Sequence, residues 1–275
     1  MAYVTTQDNV QLYYKDWGTG RPVILMHGWP LSSDSFDDLS LAIANAGMRA
    51  IAYDRRGFGR SDQPWNGYDY DTFADDLAAV IEHTGADNAA LVGFSMGGGE
   101  VARYMSRHGG KGVSQAVLIS SVVPYMLQTD DNPKGVPQVT FDEMTAGMTQ
   151  DRAKFFAGFF KDFYGMGLIE RPVSSEVLDW SFQMTMQAGL RPTLAAAKAF
   201  ASTDFRGDLA AFKVPTLVIH GTDDKTVPID TSGRAAAAGI ANATLIEYDG
   251  APHGTLATHK DQVTQDVLDF LASGR

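Results

Sequence analysis

Leu91-Val92-Gly93-Phe94-Ser95-Met96-Gly97-Gly98-Gly99 is the stretch on which the reading of this fold turns. Residues 90–94 are apolar and strand-like, and 96–108 has the length of a helix. Between them sits Gly93-Phe94-Ser95-Met96-Gly97, a G-x-S-x-G. A strand-to-helix turn this tight needs small neighbours on both sides of its apex, and it lifts the serine Oγ clear of the sheet. Met96 opens the helix, so its N–H and the helix dipole point at charge developing beside Ser95. Ser95 is thus a candidate nucleophile and Met96 a candidate oxyanion donor.

Working outward, short and nearly continuous apolar runs recur at 23–26, 50–53, 116–119, 216–219 and 244–248. Runs of this kind are what parallel strands buried on both faces look like. Helix-length segments alternate with them at 35–46, 72–83, 232–238 and 261–272. In the second, Phe73, Leu77, Val80 and Ile81 share one face, with Asp71 or Thr72 placed to cap its start and Gly85 just past its end. Residues 3–6 and 10–17 alternate instead and flank a Gln7-Asp8-Asn9 turn, so they are expected to form an antiparallel hairpin at the sheet edge. The pattern predicts a mixed, mostly parallel α/β sheet with helices on both sides.

One connection is too long. About ninety residues separate the strand ending near Ser121 from the one starting near Pro215, where a crossover needs only about a dozen. Phe155, Phe156, Phe159, Phe160, Phe163 and Tyr164 recur there at helical spacing, and 175–187 and 192–201 also read as helical. The expectation is a helical cap at 125–205 inserted into a core made of 1–124 and 206–275.

A serine hydroxyl needs a base, itself oriented by an acid. With an elbow of this type the partners follow in the order Ser, Asp or Glu, His. After Ser95 only His108, His220, His253 and His259 remain. His108 lies near the far end of the elbow's own helix, His220 closes a strand and reads as structural, and His259 is expected to be exposed. His253, in Gly250-Ala251-Pro252-His253-Gly254 after the last strand, can lean over the carboxyl edge of the sheet. The acid belongs on the loop after the preceding strand, where Asp223 and Asp224 compete and composition does not choose. A second oxyanion donor is expected from Trp29, in His27-Gly28-Trp29-Pro30 directly after an early strand, with His27 in a supporting role. Phe159 and Phe160, with Trp29 and Met126, are candidates for an apolar acyl pocket. Met144, Met184 and Met186 are open to the same reading or to plain packing.

Composition narrows the classes. Apolar residues at 44% supply an ample core, and the absence of cysteine excludes disulfides, thiolate catalysis and Cys-ligated metals. The formal charge of −11 argues against nucleic acid and anionic membranes as partners and favours a neutral substrate. No run approaches the roughly 20 apolar residues of a membrane span, and the start lacks a signal-peptide pattern, so a cytoplasmic, non-membrane protein is expected.

Together these motifs resemble the α/β-hydrolase superfamily, and more closely its cofactor-free haloperoxidases and bacterial aryl esterases. The resemblance runs nearly end to end. It is carried by His27-Gly28-Trp29-Pro30, by 53–62 with Asp54-Arg55-Arg56-Gly57, by 70–76, by the triple-glycine elbow, and by 203–206, 215–221 and Ala251-Pro252-His253-Gly254. It implies the α/β-hydrolase fold: a mostly parallel eight-stranded sheet flanked by helices, with an inserted helical cap. It also implies Ser95, Asp224 and His253 as catalytic residues, because the family's acid stands in a His-Gly-x-x-Asp pattern that lands on Asp224 rather than Asp223. Trp29 and Met96 would then supply the oxyanion N–H groups. The implied activity is hydrolysis of small neutral esters through an acyl-serine, without metal or organic cofactor, and relatives of this kind often form homo-oligomers. Proline after the oxyanion tryptophan looks like members with perhydrolase side activity; fixing φ at Pro30 would move the Trp29 carbonyl toward hydrogen peroxide as acyl acceptor. The arginines at 55, 56 and 60 are read as a salt-bridged loop under the site. Lactam or carbon–carbon hydrolysis on the same triad and a non-catalytic ligand receptor stay open. A dehalogenase or epoxide hydrolase is disfavoured, since those carry aspartate where Ser95 stands.

Overall fold

A computed structural model describes residues 2–274; Met1 and Arg275, the outermost residues of the expected core segments, lie outside the described residues. Eight strands form one sheet: β1 Ala2–Thr5, β2 Gln11–Gly18, β3 Pro22–Met26, β4 Arg49–Tyr53, β5 Ala89–Phe94, β6 Val113–Ile119, β7 Thr216–Gly221 and β8 Ala243–Tyr248. Their spatial order is β1-β2-β4-β3-β5-β6-β7-β8. β1 and β2 pair antiparallel with Val4 opposite Leu12, β2 pairs antiparallel with β4, and every later pairing is parallel. Every residue of β3, β5 and β7 is buried, as parallel strands covered on both faces require. β8 departs from the expected fully buried run. It is the edge strand, and its residues are exposed or half-buried up to Tyr248, which is buried.

The covering helices are α1 Asp37–Asn45, α2 Tyr70–Thr84, α3 Met96–Arg107, α4 Gln138–Phe163, α5 Ser175–Gln187, α6 Leu190–Ser202, α7 Gly233–Gly239, α8 Thr255–Thr258 and α9 Lys260–Ser273. α2 starts earlier than expected, because Asp69 rather than Asp71 or Thr72 caps it through the Thr72 N–H at 2.9 Å. It stops where Gly85 turns left-handed at φ 61°. Three helices, α4 to α6, fill the long β6–β7 connection. α4 is longer than the aromatic spacing alone suggested and breaks at Asp151 (φ −157°, ψ 87°). The Asp151 carboxylate accepts the Lys154 N–H at 2.9 Å and so caps the second half, which carries the phenylalanines.

What positions the site is the change of winding direction at β3. The chain runs from β3 to β4 on one side, then returns to β5 on the other. Open α/β sheets place their sites in the crevice outside the carboxyl ends of strands at such a switch. Residues 27–30 leave β3 and Ser95 leaves β5 at this crevice. No helix among the described residues is long and apolar enough to cross a membrane.

Candidate active site

Ser95 occupies the elbow expected of it. Its backbone sits at φ 54°, ψ −119°, a conformation rarely adopted by a non-glycine residue. The turn is held on both sides: the Ser95 N–H donates to the Ile119 carbonyl at 2.8 Å, and the Ser95 carbonyl accepts the Gly98 N–H at 3.0 Å. Glycines flank the apex for a steric reason. A Cβ on Gly93 would stand 2.5 Å from the Gly97 carbonyl oxygen, and one on Gly97 would stand 2.1 Å from the Met26 carbonyl oxygen.

From that apex a hydrogen-bonded chain runs across the sheet's carboxyl edge. His253 Nε2 lies 2.9 Å from Ser95 Oγ, and His253 Nδ1 lies 2.7 Å from Asp224 Oδ2. A carboxylate only accepts, so Nδ1 carries the proton and Nε2 is free to accept from the serine hydroxyl. The imidazole is held between two rings, Phe94 at 5.4 Å and the edge of Phe163 at 4.8 Å between centroids. The Gly254 N–H ties the histidine loop to α4 by donating to the Phe163 carbonyl at 2.8 Å.

Asp224 is the aspartate brought to His253. Its Oδ1 accepts the N–H groups of Thr226 at 3.0 Å and Val227 at 2.8 Å. Burial alone would raise this carboxyl, but attraction to His253 and hydrogen bonds from His220 and His253 outweigh it and hold the group at about 2. Asp223 turns to solvent, where Lys225 lies 3.4 Å from it.

His220 is structural, as expected, but it also reaches the acid. Its Nε2 donates to the Val227 carbonyl at 2.9 Å, which fixes the tautomer, and lies 3.2 Å from Asp224 Oδ2. Sequence position alone does not reveal this; the signal is the four-residue step from His220 to Asp224 around the end of β7. His108 is paired with Asp75 at 2.8 Å on the far end of α3. His259 is half-buried rather than exposed, because its ring packs against Tyr248 and its Nδ1 lies 2.9 Å from Thr258 Oγ1.

Neither the Trp29 nor the Met96 N–H donates to a backbone or side-chain acceptor among the described residues. The Trp29 indole is anchored by Nε1 donating to the Thr193 carbonyl at 3.0 Å and is packed by Phe156, Phe159 and Phe200. Beneath it, His27 Nε2 accepts the Arg55 N–H at 3.0 Å, so its Nδ1 donates to the Gly28 carbonyl at 2.9 Å. Burial and the adjacent Arg55 charge push this histidine down to about 3, keeping it neutral. Arg55 donates to the His27 carbonyl at 2.6 Å and pairs with Glu100 of α3, which Tyr53 also contacts. This network links the loop bearing Trp29 to the helix opened by Met96. Arg56 pairs with Asp76 and Asp8, and Arg60 with Asp54, so the arginine-rich stretch is a salt-bridged support.

Above the serine lies a cavity of about 530 Å³. Trp29, Ser95, His253 and Phe159 line it, together with Phe141, Met144, Phe155 and Phe200. Two expected lining residues are elsewhere. Met126 is buried outside the lining, and Phe160 is buried among Phe156, Phe163 and Tyr164. The correction is a matter of helix face. Residues 155 and 159 form one stripe toward the cavity, while 156, 160 and 163 form the adjacent one toward the interior.

The fold and site define an α/β hydrolase, and comparison with known proteins gives the same class. A family model described as the alpha/beta hydrolase fold matches residues 21–260, and the chain belongs to that family. It is 42% identical to the non-heme chloroperoxidase of Kitasatospora aureofaciens over 98% of this chain and 99% of the relative. It is 43% identical to a bifunctional esterase/perhydrolase of Acinetobacter calcoaceticus, over 99% of this chain and 100% of that one. Among solved structures, a bromoperoxidase from Bacillus anthracis superposes with a TM-score of 0.95 at 42% identity, covering 98% of this chain and 99% of the other.

Proposed function

We propose that this hydrolase cleaves small, neutral carboxylic esters through an acyl-Ser95 intermediate. The observation that carries the reading is the unbroken chain Ser95–His253–Asp224, at 2.9 and 2.7 Å, opening into an apolar cavity. His253 Nε2 takes the hydroxyl proton as Ser95 Oγ bonds to the ester carbonyl carbon. Charge developing on the carbonyl oxygen is met by the Trp29 and Met96 N–H groups, an interaction that typically contributes about 3 kcal/mol per donor. Asp224, held ionised, stabilises the imidazolium that forms. The C–O bond to the alcohol breaks as His253 returns the proton to the leaving oxygen. Water, deprotonated by the same histidine, then attacks the acyl carbon, releasing the acid and restoring Ser95.

Hydrogen peroxide in place of water releases a peracid with the same proton bookkeeping, a route favoured by the named perhydrolase activity of one 43% identical relative and by Pro30 following Trp29. The segment 125–205 acts in this proposal as a cap: Phe141, Met144, Phe155 and Phe159 give the acyl group its apolar surroundings. The cavity's mouth carries Asp162 and Lys225 but no cluster of one charge, which suits a neutral substrate.

The test is turnover of p-nitrophenyl acetate, with and without hydrogen peroxide, by wild type and Ser95→Ala. Wild type is expected to release p-nitrophenol and, with peroxide, to form peracetic acid; Ser95→Ala is expected to lose both. Inertness of both proteins would favour a ligand receptor built on this scaffold.

A further inference from the structure

The cavity over Ser95 has a neighbour. A groove of about 390 Å³ runs along the α4–α6 seam, and Phe141 and Met144 belong to the walls of both spaces. They lie three residues apart on α4 and so share one face of it. Phe141 is buried and packs on Phe200 at 6.4 Å, whereas Met144 is only half-buried. Across the seam α6 is short-sided: Ala195, Ala197 and Ala201 face the groove, with Leu194 beside them and Lys198 at its rim. An unbranched thioether standing over alanines is the part of the wall that moves most readily.

We propose that Phe141 and Met144 form a partition that sets how long a chain the site accepts, with the groove behind them an extension subsite for the distal methylenes of alkyl esters. The proposal rests on the ester-hydrolase reading above. The cavity of 530 Å³ takes the reacting end of the substrate, and a longer chain must pass the partition to leave water. The groove offers that occupant an apolar strip along Leu194 and the alanines, bordered by a polar side that carries Asp142, Thr145, Arg191 and Lys198. Each methylene moved from water into such a lining favours binding by about fourfold. Met144 is the residue to remove, because Phe141 is also part of the aromatic packing that seats Trp29 through Phe200.

The experiment compares kcat/KM for p-nitrophenyl acetate, octanoate and decanoate in wild type, Met144→Ala and Met144→Ala/Ala195→Leu. In Met144→Ala the decanoate-to-acetate ratio is expected to rise by about tenfold or more, since a few methylenes gain a site. Ala195→Leu refills the groove from the other side and is expected to return the ratio toward wild type. An unchanged ratio in Met144→Ala, or a rise that Ala195→Leu leaves untouched, overturns the partition. Calorimetric binding of decanoate to Ser95→Ala, with and without Met144→Ala, separates this from the ester reading. Tighter binding on removing Met144 supports the partition even if no ester is turned over, and unchanged binding overturns it.

Discussion

Three donors converge on the carboxylate of Asp224, two backbone N–H groups at Oδ1 and His253 Nδ1 at Oδ2, with His220 Nε2 3.2 Å from the same Oδ2. A carboxylate so held binds a proton less readily folded than unfolded, hence its value of about 2. As the pH falls from about 4 toward about 2, the unfolded state takes up the proton first. The stabilisation from this group is therefore complete above pH 4 and lost across that window. Asp224→Asn is expected to flatten this part of the pH dependence of the thermal midpoint; a variant as acid-labile as wild type would contradict it. The same crowding of donors explains what the residues alone left open. Asp223 and Asp224 are adjacent, identical in type and on one loop, so no local pattern separates them. Only the family's spacing pointed to Asp224, and the geometry then gives the reason.

At the scale of elements, the elbow and the insert behave differently. The elbow was legible because its constraint is local: glycine at 93 and 97 follows from backbone atoms within a few residues or on the next strand. Gly93→Ala would put its Cβ 2.5 Å from a carbonyl oxygen that cannot move without reshaping the turn. The expected cost is about 1–3 kcal/mol in urea denaturation, with ester turnover falling further because Ser95 is displaced. Native-like stability and turnover together would refute this steric account. The aromatic helix was legible as a helix and not as a lining. Phe155, Phe156, Phe159, Phe160 and Phe163 cover two adjacent stripes, and which one faces the cavity depends on how α4 is rotated against α6 and Trp29. Periodicity does not contain that rotation. This is why the spacing marks Phe159, which lines the cavity, together with Phe160, which does not, and leaves Phe141, Phe155 and Phe200 unmarked.

In the whole molecule, the parallel sheet was legible almost throughout, since strands buried on both faces must be apolar along their length. What the strands could not announce was the ionic layer beneath the crevice. Arg55 and Glu100 are both buried, and burial pushes the Glu100 carboxyl up against the pull of Arg55. Such pairs contribute little net stability, and this one joins the loop after β3 to α3, which in the proposed mechanism holds the Trp29 and Met96 N–H groups in register. The layer, the winding reversal at β3 and the insert all converge on one hydroxyl. The measurement that tests this most directly is the intact mass of the protein after treatment with a p-nitrophenyl phosphonate ester. One phosphonyl group per chain is expected, on the peptide containing Ser95, with ester turnover lost in step and no adduct on Ser95→Ala. Equal labelling of Ser95→Ala, or undiminished turnover by the labelled wild type, would contradict a nucleophilic Ser95.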